Sequence, residues 1–243
     1  MEGSFNHIDS KIKFIENNNF SKSKRLVIIL LGKPGVGKGT QGKKLQKLLN
    51  IPHISIGDLF RHHTINQTDL GKLIINYKSF GNKYYPPDEI CLGIMSRRLI
   101  QEDCKKGFIL DGFPRSKEQA EVLVGSLLRS NDLTVAIYID LDESIIESRI
   151  KDRRICSNCG AQFNITGTCV NNNCKEASLI IREEDCKSNL NKRLQLFNDS
   201  WVEISTELEK ISPVQKISLS EVDSENKTYN RLTSIIYSKM NKN

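Results

Sequence analysis

The sequence predicts an α/β protein, a three-layer α/β/α fold around a five-stranded parallel sheet, with two smaller subdomains inserted. Three observations predict it. Five short apolar runs alternate with stretches of helical periodicity, as in βα units whose sheet is covered on both faces. A glycine-rich turn, GKPGVGKGT over 32–40, separates the first of those runs from the first helix. Two segments, about 56–85 and 152–185, break the alternation. Both start at the carboxyl end of a βα unit, where function accumulates.

The first strand, RLVIILL over 25–31, is a continuous apolar run that suits a strand buried on both faces. A helix follows at about 40–49, with Leu45, Leu48 and Leu49 on one face. HISI over 53–56 reads as the second strand, GFILD over 107–111 as the third, TVAIYIDL over 134–141 as the fourth and VQKISL over 214–219 as the fifth. Helical patterns cover 116–128, 143–151, 185–204 and 227–240. Parallel neighbours require right-handed crossovers. The sequence has no internal repeat.

A chain of 243 residues suffices for one good-sized core. Its net charge of +7 suits anionic partners, whether nucleotide, nucleic acid or acidic lipid, and does not choose among them. The longest apolar run, LVIILL, is far short of the roughly 20 residues of a membrane span. Residues 1–24 are polar and Asn-rich, with no apolar stretch and no Arg before Arg25, which argues against a secretory or mitochondrial leader. Glu2 follows Met1, so no glycine is placed for myristoylation. The expectation is a mobile or loosely docked arm on a cytoplasmic protein. Of seven cysteines, four cluster in 156–174; clustered cysteines in an intracellular chain bind metal more often than they form disulfides. Cys91, Cys104 and Cys186 read as buried small apolar residues.

Gly32, four intervening residues, then Gly37 and Lys38 match a phosphate-binding loop. Gly39 stands where the strict pattern has Ser or Thr, and Thr40 comes one residue later. The logic survives: glycines turn backbone N–H groups inward as an anion nest, and the following helix presents its positive end. Lys38 supplies a cation for the β and γ phosphates. Such a loop names a nucleoside triphosphate, not a reaction. The arginines narrow the choice: Arg61, Arg97, Arg98, Arg115, Arg149, Arg153, Arg154, Arg182 and Arg193. Any one of them is by default a solvated surface charge. A phosphoryl transferase needs several, because the transition state spreads negative charge that forked guanidinium groups stabilise.

GKPGVGKGTQ, ISIGDLFR, GFILDGFPRSKEQA, RIKDRRICSNCG and REED…NKRL occur in that order from Arg25 onward. With these motifs the chain resembles the adenylate kinases of the nucleoside monophosphate kinase family. The resemblance implies a P-loop core at 25–54, 86–151 and 186–243, an acceptor-binding subdomain at 55–85 and a lid at 152–185. It implies reversible Mg²⁺-dependent transfer, ATP + AMP to two ADP, by a monomer with its arginines in cis and no nucleic-acid or membrane partner. Lys38 and the backbone of Gly35, Val36, Gly37, Gly39 and Thr40 would hold the donor phosphates, and Arg149 the donor base; Phe163 either packs the lid or touches that base. Arg61 and Arg115 would hold the acceptor α-phosphate, with Ile56, Tyr85, Gly112 and Gln119 around the acceptor nucleotide and Gln119 on its adenine. Asp58 and Asp111 would hold waters of Mg²⁺. Arg153, Arg182 and Arg193 would close on the moving phosphoryl group; the eleven-residue spacing of the last two, three helical turns, brings them to one centre. No general base is required, because the acceptor oxygen is already an anion.

The chain departs from the family pattern in places. Ile56 stands where Thr or Ser usually meets the acceptor base, and strand alternation turns Ser55 the other way. The loop GNKYYPPDEI over 81–90 is two residues longer than usual, with Tyr84 and Tyr85 in place of apolar residues. No DG turn follows the last strand, which leaves GTP open beside ATP as donor. Alternative readings are a GTP:AMP or broader monophosphate kinase, and a nucleotide-binding interaction protein whose acceptor site has degenerated. Cys156, Cys159, Cys169 and Cys174 (C-x2-C, nine residues, C-x4-C) suit a structural Zn²⁺ in a shortened lid; the bland reading is four reduced thiols. A nucleic-acid zinc module needs basic and aromatic residues, and 157–173 holds only Phe163.

Overall fold

A computed structural model describes residues 24–79, 85–156, 158, 162–163, 168–169, 174 and 178–242. The arm expected at 1–24 falls outside them save for Lys24. The strands are β1 (Leu26–Leu31), β2 (His53–Ser55), β3 (Gly107–Asp111), β4 (Leu133–Asp140), β5 (Arg154–Cys156), β6 (Gln162–Phe163), β7 (Leu179–Ile180) and β8 (Gln215–Ser218). The helices are α1 (Lys38–Leu49), α2 (Ile56–Ile65), α3 (Asp69–Ser79), α4 (Asp88–Leu99), α5 (Lys117–Val122), α6 (Glu143–Lys151), α7 (Lys187–Glu209) and α8 (Glu225–Asn241).

Five strands form one parallel sheet in the order β2-β3-β1-β4-β8. β1 is central, and all six of its residues are buried. Successive side chains leave a strand on opposite faces, and β1 divides accordingly. Ile28 and Leu30 join Leu45, Leu190 and Leu232 on one side, while Val27 and Ile29 join Met95, Phe108 and Leu208 on the other. This is why the run reads as unbroken apolar sequence. Truncating one such side chain, as in Ile29→Ala, costs about 2–5 kcal/mol. At the far end from the ligand loops, Arg25 forks onto Asp132, Nε to Oδ1 at 2.9 Å and Nη2 to Oδ2 at 2.6 Å, and ties the start of β1 to that of β4.

The second sheet is small and antiparallel, in the order β6-β5-β7, with a bridge between Thr168 and Ser178. Its buried centre is Cys156, Cys169 and Cys174, with Phe163 and Leu179 the apolar residues packed against them among the described ones.

The helix expected over 116–128 is shorter: α5 gives way at Leu123–Leu127 to a π turn. The helix expected to begin at 185 begins at Lys187, after a 3₁₀ turn over Glu183–Asp185. Cys186, expected to be buried, is exposed at the head of that helix. No described helix is long and apolar enough to cross a membrane.

Candidate active site

The phosphate loop joins β1 to α1 at the carboxyl end of the sheet. Gly32, Gly35 and Gly37 all take positive φ, and Gly37 is the N-cap of α1 with no side-chain cap. At the heads of α2 and α5 the cap is a side chain: Ser55 accepts from Asp58 N, and Ser116 from Gln119 N. The first N–H groups of α1 are therefore left for an anion. Gly35 is needed for a further reason: a Cβ there meets Ile150 Cδ1 at 2.8 Å and Ile146 Cγ2 at 3.0 Å, so α6 lies directly on the loop.

Lys38 curls over the loop, its Nζ donating to Gly32 O at 2.6 Å and Lys33 O at 2.8 Å. Burial pushes its ammonium down to about 8, against the pull of Asp111 and with the push of Arg115, Arg193 and Arg153. Asp111 ends β3, and its Oδ2 lies 3.2 Å from His53 Nε2 on β2. Burial works to raise its carboxyl, but His53 and Lys38 outweigh it and hold the group below its usual range.

One cleft of about 620 Å³ gathers the predicted groups. Gly35, Gly37, Lys38, Gly39 and Thr40 line it from the loop, Asp58 and Arg61 from α2, Asp111, Gly112 and Arg115 from the turn after β3. Tyr85, Arg153, Phe163, Arg182 and Arg193 complete it. Its arginines divide into two sets. Arg153 Nε donates to Asp185 Oδ2 at 2.7 Å, Arg193 Nη1 lies 3.7 Å from Asp185 Oδ1, and Arg61 pairs with Asp58 and with Glu184 at 2.9 Å. Arg115 and Arg182 have no carboxylate in ion-pair range among the described residues, and Arg182 Nε is buried without a hydrogen-bond partner. Burial, then Arg61 and Arg153, lower the Arg182 guanidinium to about 10.

Arg115 is held by its own turn and by an aromatic ring. Its Nε donates to Gly112 O at 2.6 Å, and its guanidinium sits 4.2 Å from the centre of the Tyr85 ring, a cation–π contact. The Tyr85 hydroxyl accepts from Arg193 Nε at 3.5 Å. Burial raises the phenol, but Arg115 and Arg193 outweigh it, and the net direction is down. Arg193 is placed by α7, where Phe197 and Trp201 stack on Tyr138 of β4 with centroids 6.0 and 4.2 Å away.

Some expected residues lie elsewhere. Ile56 does not line the cleft; it opens α2 at 1% exposure inside the core beside Ile54 and Phe113, as an isoleucine will when an apolar cluster is in reach. Ser55 lines the cleft in its stead, because β2 ends there and strand alternation ends with it. Arg182 and Arg193 meet in the cleft, but not by helical spacing, since Arg182 precedes the 3₁₀ turn and α7. Val36 and Gln119 are buried, Arg149 is half-buried on α6, and none of the three lines the cleft. Sequence reasoning missed His53, Glu184 and Asp185. The acids stand in REED, the motif from which only Arg182 was taken.

The Sγ atoms of Cys156, Cys169 and Cys174 are buried and lie within 4.8 Å of one another, so the cluster can hold a metal ion. Asn158 N donates to Cys156 Sγ at 3.3 Å. Cys159 lies outside the described residues.

The family model for adenylate kinase matches residues 30–211. An adenylate kinase of Thermosipho africanus is 41% identical over 182 residues, 71% of this chain and 82% of the relative. One from Clostridium novyi is 40% identical over 179 residues, 70% of this chain and 81% of the relative. One from Thermoanaerobacter sp. is 43% identical over 175 residues, 70% and 80% respectively.

Proposed function

The chain belongs to the adenylate kinase family and is a phosphotransferase of that family's substrates, ATP and AMP with Mg²⁺; on that premise we propose a division of labour among its residues. The donor phosphates lie in the loop of Gly35 to Thr40 against Lys38. The acceptor α-phosphate lies against Arg61 and Arg115, and Gln119 reads the acceptor adenine. Arg153, Arg182 and Arg193 surround the moving phosphoryl group. The acceptor oxygen attacks as an anion, so no side chain removes a proton. Catalysis then consists of positioning, charge stabilisation and exclusion of water.

The observation that carries this reading is the convergence of Lys38, Arg115 and Arg182, none with a carboxylate partner among the described residues, on one cleft. Asp58 and Asp111 line the same cleft and fit hard-cation chemistry through water. Mg²⁺ arriving with ATP neutralises phosphate charge there. Arg115→Ala tests the assignment: kcat/KM for AMP should fall about 10²–10³-fold, with unchanged melting temperature and unchanged affinity for ATP in the absence of AMP. Retained turnover would refute it.

The donor is ATP rather than GTP, the family default, and initial rates with each triphosphate decide that. The thiol cluster holds a structural Zn²⁺ through Cys156, Cys169, Cys174 and, from the sequence spacing, Cys159. Four thiolates close a zinc site and leave no position for chemistry, so the metal would only stiffen the second sheet. The arginines are all in cis, which supports a monomer, and reduced clustered thiols support a cytoplasmic setting.

A further inference from the structure

We infer that Asp88 is a positioning residue that sets acceptor-base selectivity, by locking the carboxamide of Gln119 in one orientation. The inference rests on the proposed contact between Gln119 and the acceptor base. It comes from four hydrogen bonds at the head of α4 and α5. Gln119 Nε2 donates to Asp88 Oδ1 at 2.7 Å. Gln119 Oε1 accepts from Arg115 N at 2.8 Å. Ser116 Oγ donates to the other carboxylate oxygen, Asp88 Oδ2, at 2.6 Å. The same Oγ accepts from Gln119 N at 3.1 Å, which leaves its proton directed at Asp88.

A carboxamide has two ends of nearly equal shape and opposite polarity. Asp88 accepts only, so it selects the NH₂ end. The Arg115 backbone N–H donates only, so it selects the oxygen end. Turning the amide over would set a carbonyl against a carboxylate and an NH₂ against an N–H. At 2% exposure, water is not at hand to repair either clash. The second N–H on Nε2 is shared with the Cys91 sulfur, a weak acceptor that a base ring nitrogen would displace, and one lone pair on Oε1 is left, so donor and acceptor keep a fixed order. That order complements the adenine edge, where the N6 amine donates and N1 accepts. Hypoxanthine and guanine present the reverse, an O6 acceptor beside an N1–H donor. The same bonds tie base reading to phosphate binding, because Arg115 supplies both the backbone N–H and the guanidinium that lines the cleft.

Steady-state kinetics with ATP and either AMP or IMP test this on wild type, Asp88→Ala, Gln119→Ala and the double variant. Bidentate amide recognition of adenine discriminates by about ten- to a hundredfold. Asp88→Ala should lower the AMP:IMP ratio of kcat/KM by about that factor while KM for ATP stays put. Gln119→Ala should lower it at least as far, and Asp88→Ala should add nothing in that background. If Asp88→Ala does not fold, Asp88→Asn replaces it; Asn offers an N–H as well as an acceptor, so the ratio should still fall several-fold. A ratio unchanged in the Asp88 variants but lowered in Gln119→Ala overturns the lock alone. So does an equal loss with both acceptors. A ratio unchanged in Gln119→Ala overturns the acceptor-base reading and the lock with it.

Discussion

Alanine at Gly35 and alanine at Gly37 should separate two costs that the phosphate loop combines. Both glycines have positive φ, +89° and +100°. An L residue with a Cβ pays about 1–2 kcal/mol to occupy that region. At Gly37 that is the whole cost, because a Cβ there finds nothing within 4 Å. At Gly35 the same Cβ meets Ile150 Cδ1 at 2.8 Å, Ile150 Cγ1 at 2.9 Å and Ile146 Cγ2 at 3.0 Å. Both isoleucines are buried, so neither swings away freely. Overpacking of this kind adds about 1–3 kcal/mol. Gly37→Ala should therefore lose about 1–2 kcal/mol and Gly35→Ala about 2–5 kcal/mol. Urea denaturation followed by tryptophan fluorescence measures both, with Trp201 as the single reporter. The strain at Gly35 also reaches Arg153, three residues past Ile150, so its KM for ATP should rise more than that of Gly37→Ala. Equal destabilisation by the two substitutions would show that α6 does not press on the loop, and the reasoning would fail.

Three further outcomes follow from the site. Lys38 has its ammonium lowered from 10.5 to about 8; the folded state then releases its proton before the unfolded chain does, so burying the charge costs stability below pH 8 and the cost is relieved between pH 8 and 10.5. The stability of wild type relative to Lys38→Met should accordingly rise by as much as about 3 kcal/mol from pH 7 to pH 10.5, read by urea melts at each pH; a flat or falling difference contradicts the burial of a charged Lys38. Tyr85→Phe keeps the ring under Arg115 and loses the bond to Arg193, whereas Tyr85→Leu loses both; KM for AMP should stay near wild type in the first and rise about three- to thirtyfold in the second, and identical kinetics in both would remove the cation–π contact from the account. Elemental analysis of protein prepared without added metal should find close to one zinc per chain, and Cys169→Ser should lose it together with several degrees of melting temperature; metal-free native protein of full stability would end the zinc reading.

The centre of the sheet was legible because its strands are buried on both faces, which writes them as apolar runs that no helix period explains. β1 carries that signal along its whole length, and β4 along most of its own. Helix starts were less legible where the cap is not the first residue of a pattern. The apolar period of α7 continues the turn over Glu183–Asp185, so nothing in the spacing marks the break before Lys187. Ile56 stands apart from the cleft for a physical reason of the same kind. Position along a motif gives the backbone site, but the side chain went to the apolar cluster across the turn. Asp88 and His53 carried no signal at all, since an acid in the first turn of a helix and a histidine at a strand end have ordinary structural uses. Their roles exist only in pairs, Asp88 with Gln119 and His53 with Asp111, and pairs distant in sequence are set by the fold.

The arginines make the same point about charge, and take it further. Read singly, each cation in REED…NKRL is an unremarkable surface residue. Folded, Arg61, Arg153 and Arg193 share Glu184 and Asp185, two acids from the turn that joins the small sheet to α7. Asp185 is fully buried at its side chain, and a buried carboxylate survives only with partners of opposite sign. The pairing lets so many cations be packed into one cleft without unfolding it. It does not neutralise them. Lys38, Arg115 and Arg182 all have their proton affinity lowered, with burial first and neighbouring arginines among the causes. Glu184 and Asp111 show the mirror effect: their carboxyls are lowered although burial alone would raise them. The carboxyls thus report the positive potential directly, while in these bases burial comes first and the arginines add to it; Arg193, beside Tyr85, Glu184 and Asp185, is raised instead. A cleft that holds its carboxyls low and keeps Lys38, Arg115 and Arg182 without a carboxylate partner among the described residues is one prepared for a polyanion, and two nucleotide phosphate chains are such a polyanion.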